Sequence, residues 1–171
     1  MRHYLATAVL AAATAYCAEG EHARGADLSQ PSGQQPQQSV PVTRLATGSD
    51  PFTYYSELTE STRLVIRDAS AWAEMWARLS TVRPVPPLPP VDFNREMVVV
   101  TALGARSSGG HSIVVESASR EGGTVYVTVR SETPGSGCLL SQALTSPVDV
   151  ARMPRTDDPV QFRERNVTRG C

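Results

Sequence analysis

Hydrophobic and polar residues alternate in a way that predicts a strand-rich domain from about residue 51 onward. Thr124–Arg130 places valines at every second position, which is typical of a strand with one buried face. Met97–Val100 is apolar throughout and predicts a fully buried strand. Strands are predicted at about 63–67, 96–103, 111–118, 124–130, 145–152 and 160–168.

One segment follows a helical period instead. Apolar residues recur at i, i+3, i+4 and i+7 and predict a helix over about 70–80, with the stripe formed by Trp72, Met75, Trp76 and Leu79. Such a stripe indicates a core-facing helix more readily than a tryptophan platform for a ligand. Pro84–Pro90 must then run extended, and we interpret it as a stiff crossover to the next strand.

Short, glycine-bearing connections separate the later strands. Ser107–Gly110, Glu121–Gly123 and Pro134–Gly137 carry turn residues. Strands joined this closely pair antiparallel. The predicted fold is therefore mainly β, an antiparallel sandwich or partly open barrel with one packed helix, spanning residues 51–171.

The N-terminus has the pattern of an export signal. A positive start, Met1–His3, precedes the uncharged run Leu5–Ala15, which is too short to span a bilayer as a helix. Ala13–Ala15 fits signal-peptidase cleavage after residue 15. Alternatively, a lipoprotein signal ends at Tyr16 and Cys17 is lipidated, although lipoprotein peptidases require a small residue before the cysteine. We predict an exported, periplasmic or envelope-associated protein, with the lipid anchor left open.

Residues 16–50 are predicted to be a disordered linker rich in Gln, Pro and Ser. Ser29–Gln38 is almost wholly polar and offers too little apolar area to offset the entropy of ordering. No segment after the signal is long and apolar enough to be a transmembrane helix.

Charge and cysteine content narrow the function classes. With 16 basic and 17 acidic residues, the net charge of −1 gives no broad electrostatic basis for binding nucleic acid or anionic lipid. Export implies an oxidising compartment, so with Cys17 lipidated or placed in the linker, Cys138 and Cys171 are predicted to form a disulfide. Two free thiols are the alternative.

The central strands and turns resemble the C-terminal domain of the PrcB family, named for a subunit of a protease complex. The resemblance lies in an ordered series of glycines and prolines between strands across about 60 residues. The stretches that carry it are Asp92–Val99, Leu103–Gly104, Ser108–Ile113, Thr133–Cys138 and Gln142–Pro147. It implies an exported or lipid-anchored protein associated with a protease, and it brings no catalytic residues.

Candidate chemistry in the sequence is weak. Ser108 or Ser112 beside His111 lacks the surroundings of a catalytic nucleophile, and no spacing fits a metal site. We therefore predict no catalytic residues, no cofactor and no metal. Recognition residues tend to lie on loops that a rigid sheet holds in place. The alternative is that both loops only connect strands. The candidate partner-binding residues are Ser108, Gly109, Gly110, His111, Pro134, Gly135 and Gly137.

The predicted function is that of a non-enzymatic accessory or modulatory protein that binds a protein partner, with a secreted or envelope protease as one candidate partner. One alternative is a protease inhibitor that acts alone through the Gly109–Gly110 loop as a wedge, by analogy of fold. The other is a purely structural envelope lipoprotein.

Overall fold

The predicted strands assemble into two four-stranded sheets. The computed structural model describes residues 37–45, 55–79, 81 and 84–171. The elements are β1 (Gln38–Val40), β2 (Thr43–Arg44), β3 (Thr62–Ile66), α1 (Ala69–Leu79), β4 (Glu96–Ala102), β5 (Ser112–Glu121), β6 (Thr124–Pro134), β7 (Val148–Pro154) and β8 (Val160–Arg169). The first sheet has the order β1-β5-β6-β8, and the second has the order β2-β7-β4-β3.

The two sheets pack face to face as a sandwich. Valines 125, 127 and 129 of β6 are buried on the inner face, as the alternation predicted. They meet Met97, Val99 and Met153 of the second sheet in one apolar cluster. The mainly β prediction is confirmed, and of its two forms the sandwich is the one found.

Strand β4 is buried on both faces, which explains its continuous apolar sequence. Met97 and Val99 point into the sandwich, whereas Val98 and Val100 pack against a second cluster that includes α1. A strand covered on both sides needs apolar residues at consecutive positions.

Helix α1 covers the outer face of the second sheet. Asp68 caps it, because one carboxylate oxygen accepts the Ala71 N–H at 2.8 Å. The predicted stripe of Trp72, Met75, Trp76 and Leu79 is buried. The indole N–H of Trp72 donates to the Pro89 carbonyl at 3.1 Å, and that of Trp76 donates to Pro86 at 2.9 Å. The proline-rich segment therefore lies along the helix.

Strand β8 corrects the expectation of hairpin connections. It pairs with β6 in parallel, whereas the other strand pairings among the described residues are antiparallel. The reason is that residues 155–159 cross from the second sheet to the first. A crossover of this kind frees the strand from the direction that a hairpin would impose.

The predicted linker is wrong at its C-terminal end. Gln38–Val40 pairs with β5 and Thr43–Arg44 pairs with β7, so folded structure begins before residue 51. Val40 and Val42 pack on the sandwich cluster, which gives this polar segment an apolar anchor. The predicted signal at 1–15 lies outside the described residues. So do the linker residues 16–36, which include Cys17, and the linker residues 46–50.

Candidate protein-binding loops

The two loops singled out in the sequence lie together at one end of the sandwich. Loop A (residues 103–111) joins β4 to β5, and loop B (residues 135–147) joins β6 to β7. Arg106 and Thr145 exchange backbone hydrogen bonds of 2.7 and 2.9 Å. The Gly109 N–H donates to the Ser141 carbonyl at 3.0 Å, and the Thr145 hydroxyl donates to the Ser108 carbonyl at 3.0 Å. These hydrogen bonds, together with one from the Leu103 N–H to the Pro147 carbonyl at 3.0 Å, join the loops into one surface, which we call the loop end.

The glycine pair of loop A is packed beneath loop B. A Cβ on Gly109 would collide with the hydroxyl of Ser141. Gly110 has a φ of +84°, and a Cβ there would lie 3.0 Å from the Leu140 methyl and 3.4 Å from the Pro134 ring. These glycines allow the loops to approach closely, so their role in the structure is support.

Loop B is tied to the end of β8. The structure contains the predicted disulfide between Cys138 and Cys171, whose Cα atoms are 5.3 Å apart. Beside it, the Gly135 N–H donates to the Arg169 carbonyl at 2.9 Å. An open cleft of about 660 Å³ separates Gly137–Leu140 from the Arg169–Cys171 tail. The base of loop B is therefore held covalently and by a backbone bond.

Two leucines of loop B project into solvent. Leu139 is 103% exposed and Leu144 is 76% exposed, more than any other large hydrophobic side chain in the described part of the chain. Neither leucine was predicted as a binding residue, because leucine side chains are more often buried than exposed. The available signal was the presence of leucines in a connection that has no helical or strand period.

The histidine of loop A lacks the arrangement of a catalytic base. The Ser108 hydroxyl and the His111 Nε2 are 3.5 Å apart, at the limit of a hydrogen bond. The buried Nδ1 has no hydrogen-bond partner within the described residues, so no acid orients the ring. Burial and the charge of Arg106 lower the pKa of His111. Ser112, the other candidate, donates to Glu132 at 3.1 Å instead.

A buried carboxylate supports the loop end from behind. Asp149 of β7 is fully buried between the sheets. Its Oδ1 accepts two bonds from the Arg44 guanidinium at 2.7 and 2.9 Å, and its Oδ2 accepts the Val115 N–H at 2.8 Å. Val115 lies where the register of β5 shifts, so Asp149 holds the irregular part of the first sheet against the second.

The pKa of Asp149 is raised, because its burial outweighs the hydrogen bonds from Val115 and Arg44. The sequence analysis did not select this residue. A charged residue between Val148 and Val150 in a strand expected to be buried was the available signal.

Comparison with known protein families gives a match in the middle of the domain. Residues 97–154 match the model of the PrcB C-terminal family. The resemblance drawn from the sequence is confirmed for this segment. The PrcB C-terminal segment contains nearly all of β4, the strands β5, β6 and β7, and both loops of the loop end. Of the two disulfide cysteines, Cys138 lies inside the segment and Cys171 lies after it.

No curated protein and no solved structure gave a significant match. Within 37–45, 55–79, 81 and 84–171, no helix is long and apolar enough to cross a membrane. The same residues contain no group of histidine, cysteine and acidic side chains arranged to hold a metal ion.

Proposed function

We propose that this protein is an exported, non-catalytic accessory protein that binds a protein partner through the leucines of loop B. The PrcB C-terminal segment supports association with a protease complex, so a secreted or envelope protease is the favoured partner. The observation that carries the proposal is the exposure of Leu139 and Leu144 on a loop held by a disulfide.

The physical argument rests on the cost of ordering a binding loop. Burying an exposed leucine contributes about 2 kcal/mol to association, provided the loop does not lose much conformational freedom at the same time. The Cys138–Cys171 bond and the hydrogen bonds to loop A already restrict loop B. Part of the entropy cost of ordering loop B is therefore already incurred during folding, before its leucines contact a partner.

The test replaces both leucines and leaves the fold intact. Leu139→Asp/Leu144→Asp is compared with Leu88→Asp, which alters a leucine 44% exposed in the proline-rich segment. Tagged full-length protein is expressed in its native host, cross-linked in the envelope and recovered for mass spectrometry. We expect the wild type and Leu88→Asp to recover the same partner and the double variant to lose it. Equal recovery by all three would reject loop B as the binding surface.

Proteolysis assays distinguish an accessory role from stand-alone inhibition. The Gly109–Gly110 wedge has little geometric support, because the pair is packed against Ser141, Leu140 and Pro134. An accessory protein is expected to change the activity of its co-purified protease and to leave unrelated secreted proteases unaffected. Broad inhibition by the purified domain would favour the inhibitor alternative.

The structural-lipoprotein alternative is tested at Cys17. Labelled palmitate incorporated into the wild type and absent from Cys17→Ser would establish the lipid anchor. An anchored protein that cross-links to no protease would then favour a structural role in the envelope.

A further inference from the structure

Strand β8 forms a long open edge of the first sheet. It has ten residues and pairs with β6 along its length. Among the described residues no strand pairs with its other side. The edge strands at the opposite side, β1 and β2, have only three and two residues. A long unpaired edge is a template for an added strand from another chain.

The backbone contacts of β8 define which groups face outward. The carbonyls of Pro159 and Arg169 both accept bonds from the β6 side, from Val125 N–H and Gly135 N–H, each at 2.9 Å. The N–H and C=O of one strand residue point to the same side, and that side alternates along the strand. The odd-numbered residues of β8 therefore face β6, and the even-numbered ones direct their backbone groups outward. The outward set is Val160, Phe162, Glu164, Asn166 and Thr168.

The edge of the second sheet beside β8 is strand β3, which is shorter than β8 and is partly capped by a side chain. Strand β3 has five residues. The Arg63 guanidinium donates to the Thr62 carbonyl of the same strand at 2.7 Å and also binds Glu164 of β8 through two hydrogen bonds. This side-chain clamp joins the edges of the two sheets near the middle of β8. It involves the Glu164 carboxylate and leaves that residue's backbone groups unused.

Charge distinguishes between possible occupants of the β8 edge. On the outer face of the sheet β8 presents Gln161, Arg163, Arg165, Val167 and Arg169, with no acidic residue. A second copy paired antiparallel about Glu164 would place Arg163 opposite Arg165, and like charges at opposed positions are destabilising. A strand with acidic side chains at alternate positions would instead place negative charges beside Arg163 and Arg165.

The arginines are available for such a contact. Arg163 binds Glu121 at 2.8 and 2.9 Å, and Arg165 binds Glu116 at 2.7 Å. Their side chains are nevertheless 46% and 56% exposed. Exposed ion pairs of this kind contribute little, so exchanging one carboxylate partner for another costs little.

We propose that the outer edge of β8 binds an extended segment of a partner protein that carries acidic residues at every second position. The added strand pairs with the outward backbone groups of β8, and its carboxylates lie beside Arg163 and Arg165. This surface is distinct from the leucines of loop B, so Leu139→Asp/Leu144→Asp is expected to leave it intact.

The test uses the purified processed chain and two capped, fluorescein-labelled octapeptides. One alternates threonine with glutamate, and the matched control alternates threonine with lysine. Fluorescence anisotropy at low ionic strength is expected to show the glutamate peptide binding at least about tenfold more tightly. Equal binding of the two peptides, or binding of neither, would overturn the proposal.

A proline in β8 tests the backbone contact. Asn166→Pro removes one outward N–H and leaves the hydrogen bonds to β6 in place. It is expected to weaken binding of the glutamate peptide about tenfold, whereas Asn166→Ala retains the N–H and stays within about twofold. Thr168→Pro makes the same change at another outward position and replaces Asn166→Pro if that variant does not fold.

Equal binding by the proline and alanine variants would place the peptide elsewhere and reject the proposal. A wild type that sediments as a dimer while Asn166→Pro sediments as a monomer would identify a second copy as the occupant, which also contradicts it.

Discussion

The two sheets of the sandwich differ in what covers them. The second sheet carries the other sheet on one face and α1 with the proline-rich segment on the other, so β4 is buried from Met97 to Ala102. Within the described part of the chain the first sheet is covered on one face only, and β6 alternates between buried and half-buried residues. Stability is therefore expected to be concentrated in the second sheet, whereas the first sheet leaves a face and an edge for interaction.

The largest predicted effect lies in the doubly covered sheet. Trp72→Ala removes a side chain that is 1% exposed and is expected to lower the free energy of unfolding by about 3–5 kcal/mol. Urea denaturation followed by circular dichroism measures it. The control is Tyr126→Ala on the open face of the first sheet, where the contact of the ring with the Arg163 guanidinium is lost, with an expected cost of about 1 kcal/mol or less. Equal losses of unfolding free energy in the two variants would contradict the expectation that stability is concentrated in the second sheet.

The disulfide fastens the open edge of the first sheet to loop B. Removing a link that spans 33 residues in Cys138→Ser/Cys171→Ser is expected to cost about 3–4 kcal/mol on the chain-entropy model. Urea denaturation with and without reductant gives the measurement. Reductant should destabilise the wild type and leave the double variant unchanged. A wild type insensitive to reductant would contradict the prediction.

Asp149 joins the two sheets. In Asp149→Asn, one side-chain atom becomes an N–H donor, although both carboxylate oxygens of the wild type accept bonds, from Arg44 and from Val115. A donor facing a donor is expected to cost about 1–3 kcal/mol in the free energy of unfolding. Asp149→Leu, which removes both acceptors, is the control and should be at least as destabilised.

The pH dependence of that effect has a definite sign. Burial raises the pKa of Asp149 in the folded state above the ordinary value of 3.8 for an aspartate. Proton binding therefore favours the folded state, and this contribution is fully present below the unfolded pKa and lost as pH rises through the folded pKa. The stability difference between wild type and Asp149→Asn should shrink as pH is raised from 3.8. Denaturation series across acidic pH test this, and a difference that grows with pH would refute it.

The smallest predicted effect concerns the uncovered face. Arg163→Gln removes an exposed ion pair with Glu121 and the stacking contact with Tyr126, and it is expected to change the free energy of unfolding by no more than about 1 kcal/mol. Thermal denaturation at low and high salt measures it, with Glu121→Gln as the matched variant. A much larger loss would show that the open face contributes more to stability than its exposure implies.

Parts of the fold could be predicted wherever a local pattern reports burial directly. The valine alternation of β6 and the spacing from Trp72 to Leu79 each depend on one face being covered, and both were correct. The segment Gln38–Arg44 was misjudged, because its strands are short and depend on pairing with β5 and β7. No local pattern indicates a partner strand about 80 residues away, as for β1, or about 110 residues away, as for β2.

The loop end was located in part. Glycines and prolines marked both loops, because their backbone requirements are local. Whether Gly109 and Gly110 project or support depended on where Leu140 and Ser141 come to lie, and those contacts arise only after both sheets assemble. The exposure of Leu139 and Leu144 could not be read from residue type, since leucine is more often buried.

By itself, the sequence determined the β-rich class, the position of the helix, the family segment and the pairing of Cys138 with Cys171. These follow from local periodicity, from motif order and from the few cysteines available. The tertiary structure alone decided that β8 runs parallel at an open edge, that Asp149 holds the sheets together and that Leu139 and Leu144 face solvent while Gly109 and Gly110 are packed. Each of these depends on contacts between residues distant in the chain, because strand order and burial are properties of the assembled sheets.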